Sequence, residues 1–138
     1  MSRDDATTND ATEPSETDSQ AADPSATPDA TPAVVAARAD GEPPDTTEIR
    51  ELAAAAGYAV VGEVAQRRRE DPTYDLGRGK AEELMRLVAE TGAEAVIYDG
   101  SLSPGQTFSL GDLLPAGTAV IDRPRLVLEL FADAADSR

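Results

Sequence analysis

Between Met1 and Pro32 the chain contains no Val, Ile, Leu or aromatic residue, so any core must be built from Ala33 onward. This stretch repeats Asp, Thr, Ala, Ser and Pro and has almost nothing apolar to offset the entropy lost on ordering. Residues 1–32 are therefore expected to form a disordered acidic tail, a solvating extension or else an acidic interaction arm. Residues 33–138 remain for a single domain, which is all that 138 residues and 14.4 kDa would accommodate. Residues 1–45 hold eleven acids against Arg3 and Arg38, a local charge of −9, and the remaining 93 residues still carry −6. With both parts negative, affinity for nucleic acid cannot come from the overall field.

The missing residue types exclude whole chemistries. Without Cys or His there is no disulfide framework, thiol nucleophile, zinc finger, or Ser-His or Cys-His pair. Acid–base work would fall to carboxylates, Tyr or the single lysine, Lys80. No apolar run approaches the roughly 20 residues that span a bilayer, and Asp4 and Asp5 stand where a signal peptide needs basic and then apolar residues. A soluble cytoplasmic protein with no membrane partner is the expectation. Arg outnumbers Lys eleven to one on an acidic, Ala-rich and Thr-rich background, a composition like that of salt-adapted cytoplasms.

From Ala33 onward, short β-rich runs alternate with amphipathic helical stretches. Ala33–Arg38 (AVVAAR) reads as a first strand. Asp45 and Glu48 are spaced as a cap pair before a helix carrying Ile49, Leu52, Ala53 and Ala56, which stops at Gly57. Tyr58–Gln66 reads as strand two. A second helix is expected over Lys80–Thr91, with Ala81, Leu84, Leu87 and Val88 on one face, Glu82/Arg86 and Arg86/Glu90 as i,i+4 pairs, and Gly92 as its end. Ala95–Tyr98 is strand three. Ser103-Pro104 starts a third helix of low propensity, in which Phe108, Leu110, Leu113 and Leu114 supply the apolar contacts. Thr118–Ile121 is strand four, and Asp122 caps a last helix whose Leu126, Val127, Leu130, Phe131 and Ala134 share a face. Short, continuously apolar strands alternating with helices predict an α/β fold: a four-stranded, mainly parallel sheet flanked by helices on both faces, with right-handed crossovers.

Four segments in this order carry a resemblance. Strand two with its trailing GEVAQRR, the DPTYDLGRGKAEEL stretch, the VIYDGSLSPGQ turn and the closing VIDRPRLVLELFA together resemble the N-terminal domain of the HflX-type ribosome-associated GTPases. The resemblance covers about residues 33–132, and DTTEIRELAAAAGY and PGQTFSLGDLLP look most like archaeal members. It implies the strand order 2-1-3-4. It also implies docking on the large ribosomal subunit, toward the peptidyl-transferase region, with contact to ribosomal RNA. Relatives continue past the last helix through an Arg-Ala-x-Thr-Arg-type sequence into a helical connector and the GTPase domain, whereas here Phe131 is followed by ADAADSR. Pro124-Arg125 is a lesser departure, replacing the small or polar pair usual in relatives.

No Walker A motif is present. Gly77-Arg78-Gly79-Lys80 ends in GK, but Tyr74 stands five before Gly79, and Ala81 follows where Ser or Thr is required. The only Asn is Asn9, so there is no Asn-Lys-x-Asp base-reading motif. GTP hydrolysis by these residues is not expected; neither a catalytic residue, a metal nor a cofactor is assigned.

Five of the domain's basic residues cluster between strand two and helix two: Arg67, Arg68, Arg69, Arg78 and Lys80. In open α/β sheets such turns carry function. Arg and Lys can meet phosphates there, the free amides at the start of the helix add an anion-binding end, and Gly77 and Gly79 let the backbone approach closely. These seven residues are the candidate RNA-contact and anion-binding site. The competing expectation is a solvated loop whose arginines pair locally with Glu70, Asp71 and Asp75. Tyr74 would stack on a base or pin its own loop.

Three further readings stand beside RNA contact. GRGK could be a degenerate phosphate loop binding ATP or GTP weakly. Asp99 and Asp122, at strand ends, could be a carboxylate pair or simply caps. The last helix, with Leu126, Val127, Leu128, Leu130 and Phe131, has a wide apolar arc. It would either be used fully on the sheet or mediate self-association or contact with a GTPase domain.

Overall fold

The computed structural model describes residues 29–136. In chain order the elements are β1 (Thr31–Ala39), α1 (Thr47–Ala55), β2 (Tyr58–Arg67), α2 (Arg78–Thr91), β3 (Ala95–Asp99), α3 (Pro104–Leu113), β4 (Ala119–Asp122) and α4 (Arg123–Asp136). The strands form one sheet in the order β2-β1-β3-β4, and all three pairings are parallel. This is the expected α/β architecture and the strand order that the resemblance implied. β1 begins ahead of the expected Ala33. The tail expected over 1–32 lies, through residue 28, outside the described residues.

Alternation along the strands builds two cores. Val34 and Ala36 of β1, in register with Val96 and Tyr98 of β3, point to one face, where Leu84 and Val88 of α2 and Leu110 of α3 cover them. Ala33 and Val35 point to the other, where Ile49 and Ala53 of α1 and Leu126 of α4 close over Ala95, Ile97 and Ile121. An uninterrupted apolar run in β1 is what a strand covered on both sides requires. Where β1 pairs with β2 the register shifts between Ala33 and Val34, so that Val60 and Gly62 face successive β1 residues. Gly62 lies under Leu87 of α2, whose side chain comes to 3.0 Å of where a Cβ would sit.

Helix ends follow the sequence closely, with one correction. Gly92 ends α2 in the left-handed region at φ 70°, its amide donating to Val88 O at 3.0 Å. At α3 the Gln106 amide donates to Ser103 Oγ (3.1 Å) and the Ser103 amide donates to Gln106 Oε1 (2.9 Å), a reciprocal cap with Pro104 in the first turn. That cap compensates for the helix's poor propensity. Asp122 Oδ1 accepts from the Arg125 amide (3.2 Å) and caps α4 as expected. The Asp45/Glu48 box does not form. Asp45 accepts from the Thr47 amide (3.0 Å), and this bond holds its carboxyl below the usual range, but Glu48 turns away to Arg123 (3.0 Å). Thr46 occupies the cap position, and its hydroxyl donates to Glu63 (2.7 Å).

Three packing expectations are also corrected. Glu82 is taken by Arg78 (3.3 Å), and Arg86 has no ion-pair partner among the described residues. Phe108 is 74% exposed rather than packed, because the sheet-facing positions of α3 are Gln106 and Leu110, and residue 108 lies about 200° around the helix from 106. Phe131 is 67% exposed and Leu128 66%, while Leu126 is fully buried. Leu128 and Phe131 lie about 200° and about 140° around the helix from Leu126, so they fall outside the stripe that α4 lays on the sheet. Ala134, expected on the same face, lies outside the residues whose side chains are described.

These contacts set a stability contrast. Leu84→Ala, which empties the core under α2, is expected to cost about 2–5 kcal/mol, whereas Leu128→Ala should change stability by no more than about 0.5 kcal/mol. Paired thermal melts read both values.

Candidate nucleic-acid interface

A parallel sheet delivers every strand-to-helix turn to one end of the domain. The turn from β2 to α2 is the longest of these and is folded on itself. Asp71 and Asp75 exchange backbone hydrogen bonds (Asp71 N to Asp75 O, 3.0 Å; Asp75 N to Asp71 O, 2.8 Å). Between them, Asp71 Oδ1 accepts from the amides of Thr73 (2.8 Å) and Tyr74 (3.4 Å). The Thr73 amide, more than any other group, holds the Asp71 carboxyl below its ordinary range. Tyr74 is half-buried against the core and pins the loop, and Leu76 is fully buried.

A buried polar tie crosses from the sheet into this turn. Asp75, 5% exposed and at φ 66°, accepts from Arg38 Nε (3.0 Å) at the end of β1 and from the Tyr98 hydroxyl in β3. Arg38 Nη1 donates onward to Arg68 O (2.8 Å). From the other side, Gln106 Nε2 of α3 donates to Glu70 Oε2 (2.8 Å) and Asp71 O (3.1 Å). The Gly77 amide donates to Gln66 Oε1 (2.9 Å).

The seven candidate residues are thus brought to one end of the sheet but in different states. Arg67 and Arg69 are exposed and have no ion-pair partner among the described residues. Arg68 is half-buried, with Asp71 at 3.5 Å, and its stem covers Gly77, where a Cβ would meet Arg68 Nε at 3.1 Å. Arg78 pairs with Glu82 (3.3 Å) and Lys80 with Glu83 (3.1 Å), both within α2. Gly77 is the buried cap residue of α2, and Gly79 is exposed, with nothing within 4 Å of a Cβ placed there. Of the three local acids, only Asp71 meets a loop arginine. Glu70 goes to Gln106 and Asp75 to Arg38. Asp99 accepts from Arg123 (3.3 Å), and Asp122 serves as a cap, so neither stands free as a carboxylate pair would.

Two other features frame the site. Arg125, at the start of α4, is exposed at the same end of the sheet and has no ion-pair partner among the described residues. At the opposite end, a shallow cavity of about 230 Å³ lies between the α2–β3 and α3–β4 turns, lined by Val88, Gly92, Pro115 and Thr118 among others. Among the described residues, no group of three or more His, Cys, Asp or Glu could hold a metal ion, and no helix is long and apolar enough to cross a membrane.

The model of the GTP-binding GTPase N-terminal family matches residues 44–132, which include the whole of this turn. The chain belongs to that family. The resemblance to the N-terminal domain of HflX-type GTPases is borne out by its relatives. GTPase HflX of Thermofilum pendens is 49% identical over 92 residues, which are 66% of this chain and 21% of that protein. GTPase HflX of Thermococcus kodakarensis is 42% identical over 91 residues (66% and 20%), and that of Escherichia coli 36% over 97 residues (70% and 22%). The chain therefore spans about a fifth of the length of these relatives. A crystal structure of an SsGBP mutation variant shares the fold, with a TM-score of 0.57 at 18% identity over 72% of this chain and 32% of that one.

In this member of the GTP-binding GTPase N-terminal family, Arg38, Asp75, Tyr98 and Gln106 shape the candidate site; the sequence marks Asp75 only as a local partner for the loop arginines and gives no site role to the other three. One signal was available for Tyr98. A tyrosine inside an apolar strand brings a hydroxyl into the core, and a buried hydroxyl needs a partner. Burial first, and then Asp75, push the Tyr98 phenol well above its ordinary value. Since the folded-state value is raised, the resulting stabilisation is complete below the unfolded phenol's pKa of about 10 and is lost as pH climbs above it. In an alkaline absorbance titration, one tyrosine's worth of phenolate signal is expected only with unfolding. That delayed step should be missing in Tyr98→Phe.

Proposed function

We propose that this domain docks on the large ribosomal subunit and touches the phosphate backbone of its RNA through the turn between β2 and α2. Arg67 and Arg69 make the primary contacts, supported by Arg68, Arg78, Lys80 and the backbone at Gly79; Gly77, expected to take part, is buried under Arg68 with its amide already donating to Gln66 Oε1. The observation that carries this reading is the pair of exposed arginines without ion-pair partners among the described residues, at the end of an acidic domain where its strand-to-helix turns meet. An arginine already neutralised by a neighbouring carboxylate has less to offer a phosphate, and these two are not neutralised. The ribosomal partner is what the resemblance to HflX-type ribosome-associated GTPases implies, and kinship with GTPase HflX proteins supports it. Contacts of this type set position and orientation without reading base sequence. In this reading the 138 residues supply docking rather than phosphoryl transfer, since they include no Walker A sequence.

The double variant Arg67→Ala/Arg69→Ala tests the contact without touching Arg68, which the turn needs over Gly77. Wild-type chain should co-sediment with purified large ribosomal subunits and be released by salt. Each lost phosphate contact lowers the logarithmic salt slope by about 0.9, so the double variant should bind at least about tenfold more weakly with a slope lower by about 2. Equal pelleting of both proteins would remove the turn from the interface.

A second reading is supported by the exposed Leu128 and Phe131 on α4: a protein contact, with a second copy of the chain as the simplest partner. Sedimentation equilibrium of the chain should then show a mass that rises with concentration and falls back to monomer in Phe131→Glu. A monomer at every concentration rejects self-association.

A further inference from the structure

We propose that the buried Arg38–Asp75–Tyr98 tie is a positioning device, which holds the Arg67–Lys80 segment in a single shape before any polyanion reaches it. The segment's use as an RNA contact rests on the docking proposed for this domain; whether the tie holds the segment is independent of docking.

Three observations carry the proposal. First, Asp75 sits inside the segment in the left-handed region, φ 66°, a conformation that Asp adopts more readily than most residues, and it is fixed there through both its backbone, bonded to Asp71, and its carboxylate. Second, the groups that hold the carboxylate stand on the rigid sheet: Arg38 closes β1, and Tyr98, 1% exposed, lies on β3 among the core residues. Third, the tie continues into the arginine cluster. Arg38 reaches Asp75 through Nε (3.0 Å) and the carbonyl of Arg68 through Nη1 (2.8 Å), so one guanidinium fixes both arms of the turn. Gln106 adds a second anchor from α3 at Glu70 and at the Asp71 carbonyl. Arg67 and Arg69 flank the residue whose carbonyl is clamped, which restricts where their side chains start. A segment ordered beforehand binds without the entropic cost of ordering it at the moment of contact.

Tyr98→Phe removes only the hydroxyl, and native-state trypsin, which cuts after Arg67, Arg68 and Arg69, reports directly on the turn. Losing a buried hydrogen bond should speed that cleavage about tenfold. Binding to purified large-subunit ribosomal RNA should weaken by about three- to tenfold with an unchanged salt slope, because the number of phosphate contacts stays the same while their ordering cost rises. Arg67→Ala/Arg69→Ala, in contrast, lowers the slope itself. Wild-type rates of cleavage in a folded Tyr98→Phe protein overturn the proposal, as does a binding loss accompanied by a lower slope. If Tyr98→Phe shows no cooperative melting transition, Arg38→Lys decides. It keeps a cation beside Asp75 but replaces the rigid guanidinium fork, whose Nε and Nη1 reach Asp75 and the Arg68 carbonyl separately, by one ammonium nitrogen on a flexible stem, so faster nicking after Arg67–Arg69 at an unchanged melting temperature supports the tie, and wild-type nicking overturns it. Should the wild-type chain fail to bind the RNA at all, the docking reading falls, and the trypsin rates alone settle whether the tie orders the turn.

Discussion

Five consecutive residues of β1, Ala33 to Ala37, are shielded from water on both sides, and that double burial dictates the rest of the architecture. A strand with two apolar faces cannot sit at an edge or face solvent, so it takes an interior position and demands a helix layer above and below. Parallel pairing supplies those layers, because each return to the same end of the sheet passes through a crossover long enough to be a helix. Small residues at positions 33, 36 and 37 let the helices approach closely, and Val34 and Val35 supply bulk. β2 and β4 fall at the edges, where burial is less demanding: β2 is mostly partly buried or exposed, with Val64 its one buried residue, and β4 has only four residues.

Parallel pairing also fixes where chemistry can gather. All the strand ends point the same way, so the turns after β1, β2, β3 and β4 meet on one surface. That surface is mixed in charge. The turn after β1 contributes the exposed Asp40 and Glu42, while those after β2 and β4 contribute Arg67, Arg69 and Arg125. Arg123 sits between acids on two neighbouring elements, Asp99 and Glu48, and is used up in holding α4 to the sheet and to α1. Among the described residues, Arg67, Arg69 and Arg125 are the basic groups of this surface left without an ion pair, two of them on the β2 side.

Periodicity made the sheet, its helices and their order legible, since core positions at spacings of two and near four follow from burial alone. Glycine and Ser-Pro punctuation made most helix ends legible too: Gly92, Ser103 and Asp122 act as their residue types suggest. The site was legible by location and composition but not by state. Asp75 looked like a local partner for the arginines, yet it is drawn inward to Arg38, some forty residues earlier, and to Tyr98 in the core; nothing in the local pattern of DPTYDLG encodes contacts of that range. Glu48 misled for the same reason, because its partner Arg123 comes from the far end of the chain. Phe108 and Phe131 misled through an assumption that large apolar residues on a helix face the sheet. Helix phase, at α3 and at α4 alike, decides otherwise.

An acidic chain with a few free arginines has a definite electrostatic character. The net charge of −15 opposes approach to any polyanion at long range, but at physiological ionic strength charges separated by more than about 8 Å are largely screened from one another. Inside that distance the nearest groups dominate, and the three acids of the turn itself are already engaged: Asp71 by the Thr73 amide and Arg68, Glu70 by Gln106, and Asp75 by Arg38 and Tyr98; the exposed Asp40 follows Ala39, the β1 residue paired with Arg67. The internal hydrogen bonds of the turn thus do two things at once. They order the backbone, and they engage the carboxylates that would otherwise fold back onto the arginines. Attraction that acts only at contact does not accelerate diffusional encounter, so this surface carries no long-range steering toward a polyanion.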